Sequence, residues 1–233
     1  MSGARLIVLL FNAGPVDISW AKDNPLVDAI FTIGYPAQAT GEALFDVLTL
    51  REDYANPAGR LVATWPTTLA QVPPMIDYSM NKRTYRYFEG NPMYPFGYGL
   101  SYTVFQYSQL QLKYAIIKAG KDLELSVSLS NVGWYTGDEV VQAYISWESP
   151  SVTMPKIQLA DFKRIERVKI GETVKVTMRI PYQIMAGWKH DSYVIEQGTL
   201  NVYVGGQQPF QQTSLPSNIL HSKFYITGTK TFN

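Results

Sequence analysis

The 233-residue sequence contains no cysteine and only two histidines, His190 and His221. The first absence removes a disulfide framework, a thiol nucleophile and any zinc site built on cysteine. The second leaves two imidazoles far apart in the chain, too few for a recognisable metal site, and both read as surface or turn residues. Charge is scarce and balanced, with 17% charged residues and a formal net charge of +1. No long-range field therefore gathers nucleic acid or an anionic membrane. No apolar run approaches the roughly 20 residues that cross a bilayer. There is no Asn-x-Ser/Thr sequon, and no glycine-framed serine has the form of a hydrolase elbow.

What is present divides into two halves of different period. Residues 6–11 (LIVLLF) follow Arg5 and end in Asn12, Ala13, Gly14 and Pro15. That pattern reads as a buried parallel strand and its turn, in preference to a signal peptide with a cleavage region. Residues 29–33 give a second strand and 61–65 a third, while 41–50 place Ala43, Leu44, Val47, Leu48 and Leu50 on one helical stripe behind Thr40 as N-cap. These make about two repeats of an α/β pattern, too few for a sheet covered on both faces.

Beyond Tyr107 the period is two. Leu123, Leu125, Val127 and Leu129 alternate with Glu124, Ser126 and Ser128, and Val174, Val176, Met178 and Ile180 alternate with Thr173, Lys175, Thr177 and Arg179. With further strands over 109–114, 139–147, 199–204 and 223–227, the spacing is that of an immunoglobulin-like or fibronectin type III-like β-sandwich. Between the halves, 89–103 is dense in Gly, Pro and Tyr. Its aromatics Tyr94, Phe96, Tyr98 and Tyr102 are too apolar for a solvated tether and are expected to pack on both neighbours.

This connector carries a resemblance. Tyr94-Pro95-Phe96-Gly97-Tyr98-Gly99-Leu100-Ser101-Tyr102-Thr103 resembles the segment that joins the α/β-sandwich domain to the fibronectin type III-like domain in family 3 glycoside hydrolases, the β-xylosidase and β-glucosidase group. Further blocks are similar in the same order: Pro15 to Ala21, Gly34-Tyr35-Pro36, Asn56 to Leu61, Thr84 to Phe88, Asn131-Val132-Gly133, Gly137 to Gln142 and Gly171-Glu172. The resemblance implies an α/β plus all-β chain: residues 1–106 as the C-terminal portion of an α/β-sandwich domain including the connector, and 107–233 as the fibronectin type III-like sandwich.

Cleavage in that family needs two carboxylates, one a nucleophile and one an acid/base. The resemblance places the nucleophile on a preceding barrel domain and the acid/base upstream of the segment that begins at Val8. No catalytic residue is carried over, and the chain is expected to be inert alone, with no cofactor or metal. Ala37, Thr40 and residues 49–55 depart from a glycine-rich, shorter family pattern, as in a site no longer held to sugar binding or one adjusted to another substrate.

The chain's own acids offer no replacement: Asp17 and Asp28 read as helix-start or turn residues, and Asp138 and Glu139 as turn residues before a strand. The basic cluster Lys163, Arg164, Arg167 and Lys169 reads as a solvated strand face, not a nucleic-acid site. Sugar rings stack on aromatic faces, so Trp20, Tyr35, Tyr85, Arg86 and Tyr87 are the substrate-contact candidates, against the plainer role of packing at the domain interface. A sheet begun at Leu6 leaves an open edge, which implies self-association or a barrel-bearing partner chain. The alternative to an enzyme part is a non-catalytic glycan- or protein-binding module.

Overall fold

A computed structural model of the chain describes residues 4–52, 55–211 and 218–233. In the α/β half, β1 (Leu6–Leu10), α1 (Ser19–Lys22), β2 (Val27–Thr32), α2 (Thr40–Thr49) and α3 (Thr84–Tyr87) follow in order. The sandwich half consists of β3 (Phe105–Leu112), β4 (Ile116–Lys118), β5 (Leu123–Asn131), β6 (Gly137–Trp147), β7 (Gln158–Val168) and β8 (Thr173–Ile180). It continues with β9 (Gly187–Lys189), β10 (Ser192–Ile195), β11 (Gly198–Gly205), β12 (Leu220–Thr227) and β13 (Lys230–Phe232).

Alternation builds the sandwich. β5 buries Leu123, Leu125, Val127 and Leu129 and pairs antiparallel with β8, setting Leu125 opposite Met178 and Val127 opposite Val176. One sheet runs β3-β5-β8 and the facing sheet β4-β12-β11-β6-β7. Their inner faces meet in one core with Val141, Ile145, Val202, Val204, Phe224 and Ile226. A small third sheet, β13-β10-β9, closes one end. β3 begins at Phe105, before the expected residue 109, and a bulge with Gln109 at φ 55 interrupts its ladder between Ser108 and Gln111.

The α/β half is thin. β1 and β2 form a two-stranded parallel sheet, and a small core joins Ile18, Trp65 and Met93 to Leu10, Ile30, Leu61 and Tyr94. α2 buries no residue fully, and Phe45 and Leu48 on it are exposed. Ala39, not Thr40, is its N-cap; Thr40 opens the helix with its hydroxyl donating to the Ala37 carbonyl. Leu50 ends the helix in the left-handed conformation that glycine usually supplies.

Two expectations are corrected. Residues 61–65 are not a regular strand: Leu61 N–H donates to Tyr98 O at 2.9 Å and Trp65 N–H to Tyr94 O at 2.9 Å, with a single bridge between Trp65 and Tyr94. The partner is the connector, where Pro95 lacks a donor and the chain turns at Tyr98, so no ladder can continue. Asp138 and Glu139 are not turn residues but the second and third residues of β6.

Candidate functional site

The connector seats on β6, and that seat is the best-defined polar site among the described residues. β6 breaks the period of two because Gln142 and Tyr144, on its outer face, are as buried as Val141, Ala143 and Ile145 on its inner one. The connector covers that outer face. Gln142 Nε2 donates to the carbonyls of Gly97 at 2.9 Å and Gly206 at 3.1 Å, and Tyr144 donates its hydroxyl to Gln142 Oε1 at 2.6 Å. Gly97 has φ +75, and a Cβ there would strike the Gln142 carboxamide, so backbone shape and close approach both demand glycine.

A second anchor is ionic. Arg60, from the α/β half, donates to both oxygens of Glu139 at 2.9 Å, and the two side chains are only 9% and 4% exposed. Burial raises the Glu139 carboxyl, while the Arg60 guanidinium and the Val140 N–H pull it back. Tyr107 sits beside it, its phenol raised well above the usual value by burial and then by the Glu139 charge. A buried glutamate with a raised carboxyl resembles a general acid. Here both oxygens are taken by one guanidinium in a closed contact, so it is an interdomain ion pair.

Asn56 adds a third anchor, donating to Thr136 O at 3.2 Å and accepting from Ser101 and the Tyr102 N–H. Thr103 donates to Asn131 at 2.7 Å, and Asn131 in turn holds Tyr135 O and Val168 O.

The five proposed sugar contacts fall into two groups. Trp20, on α1, and Tyr35, in the loop after β2, follow the carboxyl ends of the two parallel strands and are 58% and 79% exposed. Tyr85, Arg86 and Tyr87 lie together on α3. Tyr85 is committed to the junction: its ring stacks on Phe96 at 4.2 Å and meets Tyr144 edge-on at 6.3 Å, and its hydroxyl accepts the Leu159 N–H at 3.0 Å. Arg86 is exposed, with its carbonyl accepting from Lys156 N–H, and Tyr87 is half-buried.

The acids near the strand ends carry structural bonds. Asp17 accepts the Ser19 N–H at 3.0 Å, which lowers its carboxyl; Asp28, the second residue of β2 and not the helix-start or turn residue expected, pairs with Arg5; Asp46 and Glu42 pair with Arg51. Asp138 pairs with Arg164, so part of the basic cluster on β7 is neutralised from within the sheet.

Sequence reasoning missed the Arg60–Glu139 pair, although a signal was present. Glu139 stands in phase with Val141, Ala143 and Ile145, and an acid at an inward position of a strand needs a cation from elsewhere.

Comparison with known proteins agrees with this architecture. Residues 1–102 match the glycosyl hydrolase family 3 C-terminal domain and residues 139–208 the fibronectin type III-like domain. A β-xylosidase of Formosa agariphila is 33% identical over 212 residues, and a periplasmic β-glucosidase of Salmonella typhimurium 32% over 217, each over 88% of this chain. The chain spans 28% of the length of both. The structure of β-glucosidase 3B from Thermotoga neapolitana in complex with α-D-glucose superposes on 99% of this chain and 32% of that one, with TM-score 0.84 and 31% identity.

Proposed function

Because this chain carries the C-terminal domain of a family 3 glycoside hydrolase followed by its fibronectin type III-like domain, we propose that it is the non-catalytic part of a β-xylosidase- or β-glucosidase-type enzyme of carbohydrate breakdown. On this reading residues 1–106 complete an α/β unit and 107–233 buttress it. The two carboxylates that cleave the bond come from a barrel-bearing portion outside these residues.

One observation carries the reading: the α/β half presents an uncovered apolar surface beside a finished sandwich. Leu6, Ile7, Leu9 and Phe11 on and after β1, and Phe45 and Leu48 on α2, are exposed. An apolar strand left open in this way marks an interface. Its occupant is the rest of the enzyme, since the curated relatives are more than three times as long as the stretch they share with this chain. Trp20 and Tyr35 are then the sugar contacts, at the strand ends where open α/β sheets bind ligands.

The purified chain is expected to leave aryl β-xylosides and β-glucosides intact, and to gain turnover when joined to a barrel-bearing portion. Turnover by the chain alone, abolished by one Asp or Glu substitution within it, overturns the proposal.

A further inference from the structure

The turn between β5 and β6, residues 132–136, holds Trp134 out into solvent, 85% exposed. Its frame is fixed. Asn131, fully buried, accepts the Gly133 N–H at 3.1 Å on its side-chain oxygen and donates from its side-chain nitrogen to Tyr135 O at 2.8 Å. A Cβ on Gly133 would strike the Thr103 hydroxyl and the Val104 N, so glycine alone lets the turn lie this close to the connector. A turn pinned on both sides keeps its one indole in water.

Trp134 does not stand alone. The register that sets Phe105 opposite Asn131 continues one step to Val104 and Val132, where the Val132 N–H donates to Val104 O at 2.8 Å. Phe105 and Asn131 are buried, so by alternation the two valines leave the sheet together on its outer side, where they are 59% and 55% exposed. From the valines the chain leads to the open helix α2. Tyr102 donates its hydroxyl to Val47 O at 3.0 Å, and Asn56 ties the Tyr102 N–H to Thr136 O at the end of the turn. Phe45 and Leu48 of α2 thus stand at one end of a line of contacts and Trp134 at the other. Residues 90–112 and 125–137, which carry that line through the sandwich and connector, contain no charged side chain.

We propose that the surface from α2 across Tyr102, Val104 and Val132 to Trp134 is one docking face, and that an apolar patch of the barrel-bearing portion occupies it. The inference rests on the proposed function and extends it: the sandwich, and not the α/β half alone, touches the portion that holds the cleaving acids, with Trp134 as the anchor. Continuity decides the occupant. Arg60–Glu139 and Asn56 fasten the two halves together, so a body that covers Phe45 and Leu48 is carried along the connector to the β5–β6 turn. The chemistry agrees, because charge is depleted at the core of an interface and tryptophan is enriched among the residues that carry its binding energy.

Placing the chain in the matching 212-residue stretch of the Formosa agariphila β-xylosidase gives a whole enzyme in which this face is either covered or open. Hydroxyl-radical footprinting read by mass spectrometry compares it with the chain alone. Oxidation of Trp134 is expected to fall about fivefold in the enzyme, as water is excluded around a docked anchor. Phe45 should be protected with it, while Trp188 on β9 keeps its rate. Trp134→Ala should lower the melting temperature of the enzyme and leave the urea midpoint of the chain alone unchanged, since the ring belongs to no core. Protection of Phe45 with Trp134 still open would overturn this inference and leave the proposed function standing, whereas protection at neither would overturn both. Protection of Trp134 in the chain alone at raised concentration would make a second copy the occupant and overturn the assignment to the barrel-bearing portion.

Discussion

In the sandwich Leu123, Leu129 and Val202 have no solvent exposure, whereas in the α/β half Leu6, Ile7 and Phe11 are each close to half exposed. The two regions are made of similar residues and differ in closure. Two facing sheets bury each other's inner faces, while the two-stranded parallel sheet is backed by the small cluster of Ile18, Trp65 and Met93, which leaves Leu6, Ile7 and Leu9 exposed. The sandwich therefore has the makings of an independent folding unit, and the α/β half holds its shape by leaning on the sandwich through Arg60, Asn56 and the connector.

The sharpest way to break this contrast is to empty the closed core. Phe224→Ala should cost about 3–5 kcal/mol and unfold both halves together in urea, because the α/β half loses its seat. A sandwich lesion that left the α/β half protected in hydrogen exchange would show the dependence running the other way. Next, Glu139→Ala strands the Arg60 guanidinium in a buried site and should cost about 3 kcal/mol. The expected signature is selective: amides of β1 and β2 lose protection before those of β5 and β11 do. Uniform loss across both halves would argue against Arg60–Glu139 as the fastening.

A smaller effect comes from acid. Glu196 accepts from Lys189 and Ser151 and is held down to about 2. A depressed carboxyl contributes stability that is present above its unfolded value and disappears as pH falls towards 2. Glu196→Gln should flatten the stability profile between about pH 4.5 and 2 by roughly 1 kcal/mol, after allowance for screening at this partly exposed site. An unchanged slope in acid denaturation would place that pair outside the stability of the sandwich. Smallest in stability is Leu9→Ser, expected within about 0.5 kcal/mol. It should nonetheless lower self-association in sedimentation, since it removes apolar area from the open face and from no core.

The sandwich was legible because alternation is a local signal. Leu123 to Leu129 and Val174 to Ile180 announce both strands and which side faces inward. The strand over 61–65 was misread because its hydrogen bonds go to the connector, and a partner some thirty residues away leaves no periodic trace. Glu139 was misread as a turn residue for a related reason. Adjacent Gly137 and Asp138 look like a turn, and the cation that buries Glu139 arrives from the other half. Of the five aromatic and basic candidates, the sequence located the blocks but not their division, because only packing reveals that Tyr85 is spent on Phe96 and Tyr144.

The glycine seat on β6 also fixes an order of events during synthesis. Gly97 can dock only against a Gln142 carboxamide already held in a formed sheet, and Gln142 is translated later. At about 5–20 residues per second, the α/β half leaves the ribosome several seconds before its resting place exists. In that interval the Tyr85–Phe96 stack is without Tyr144, the ring it later meets on β6, and is a natural target for a holding chaperone.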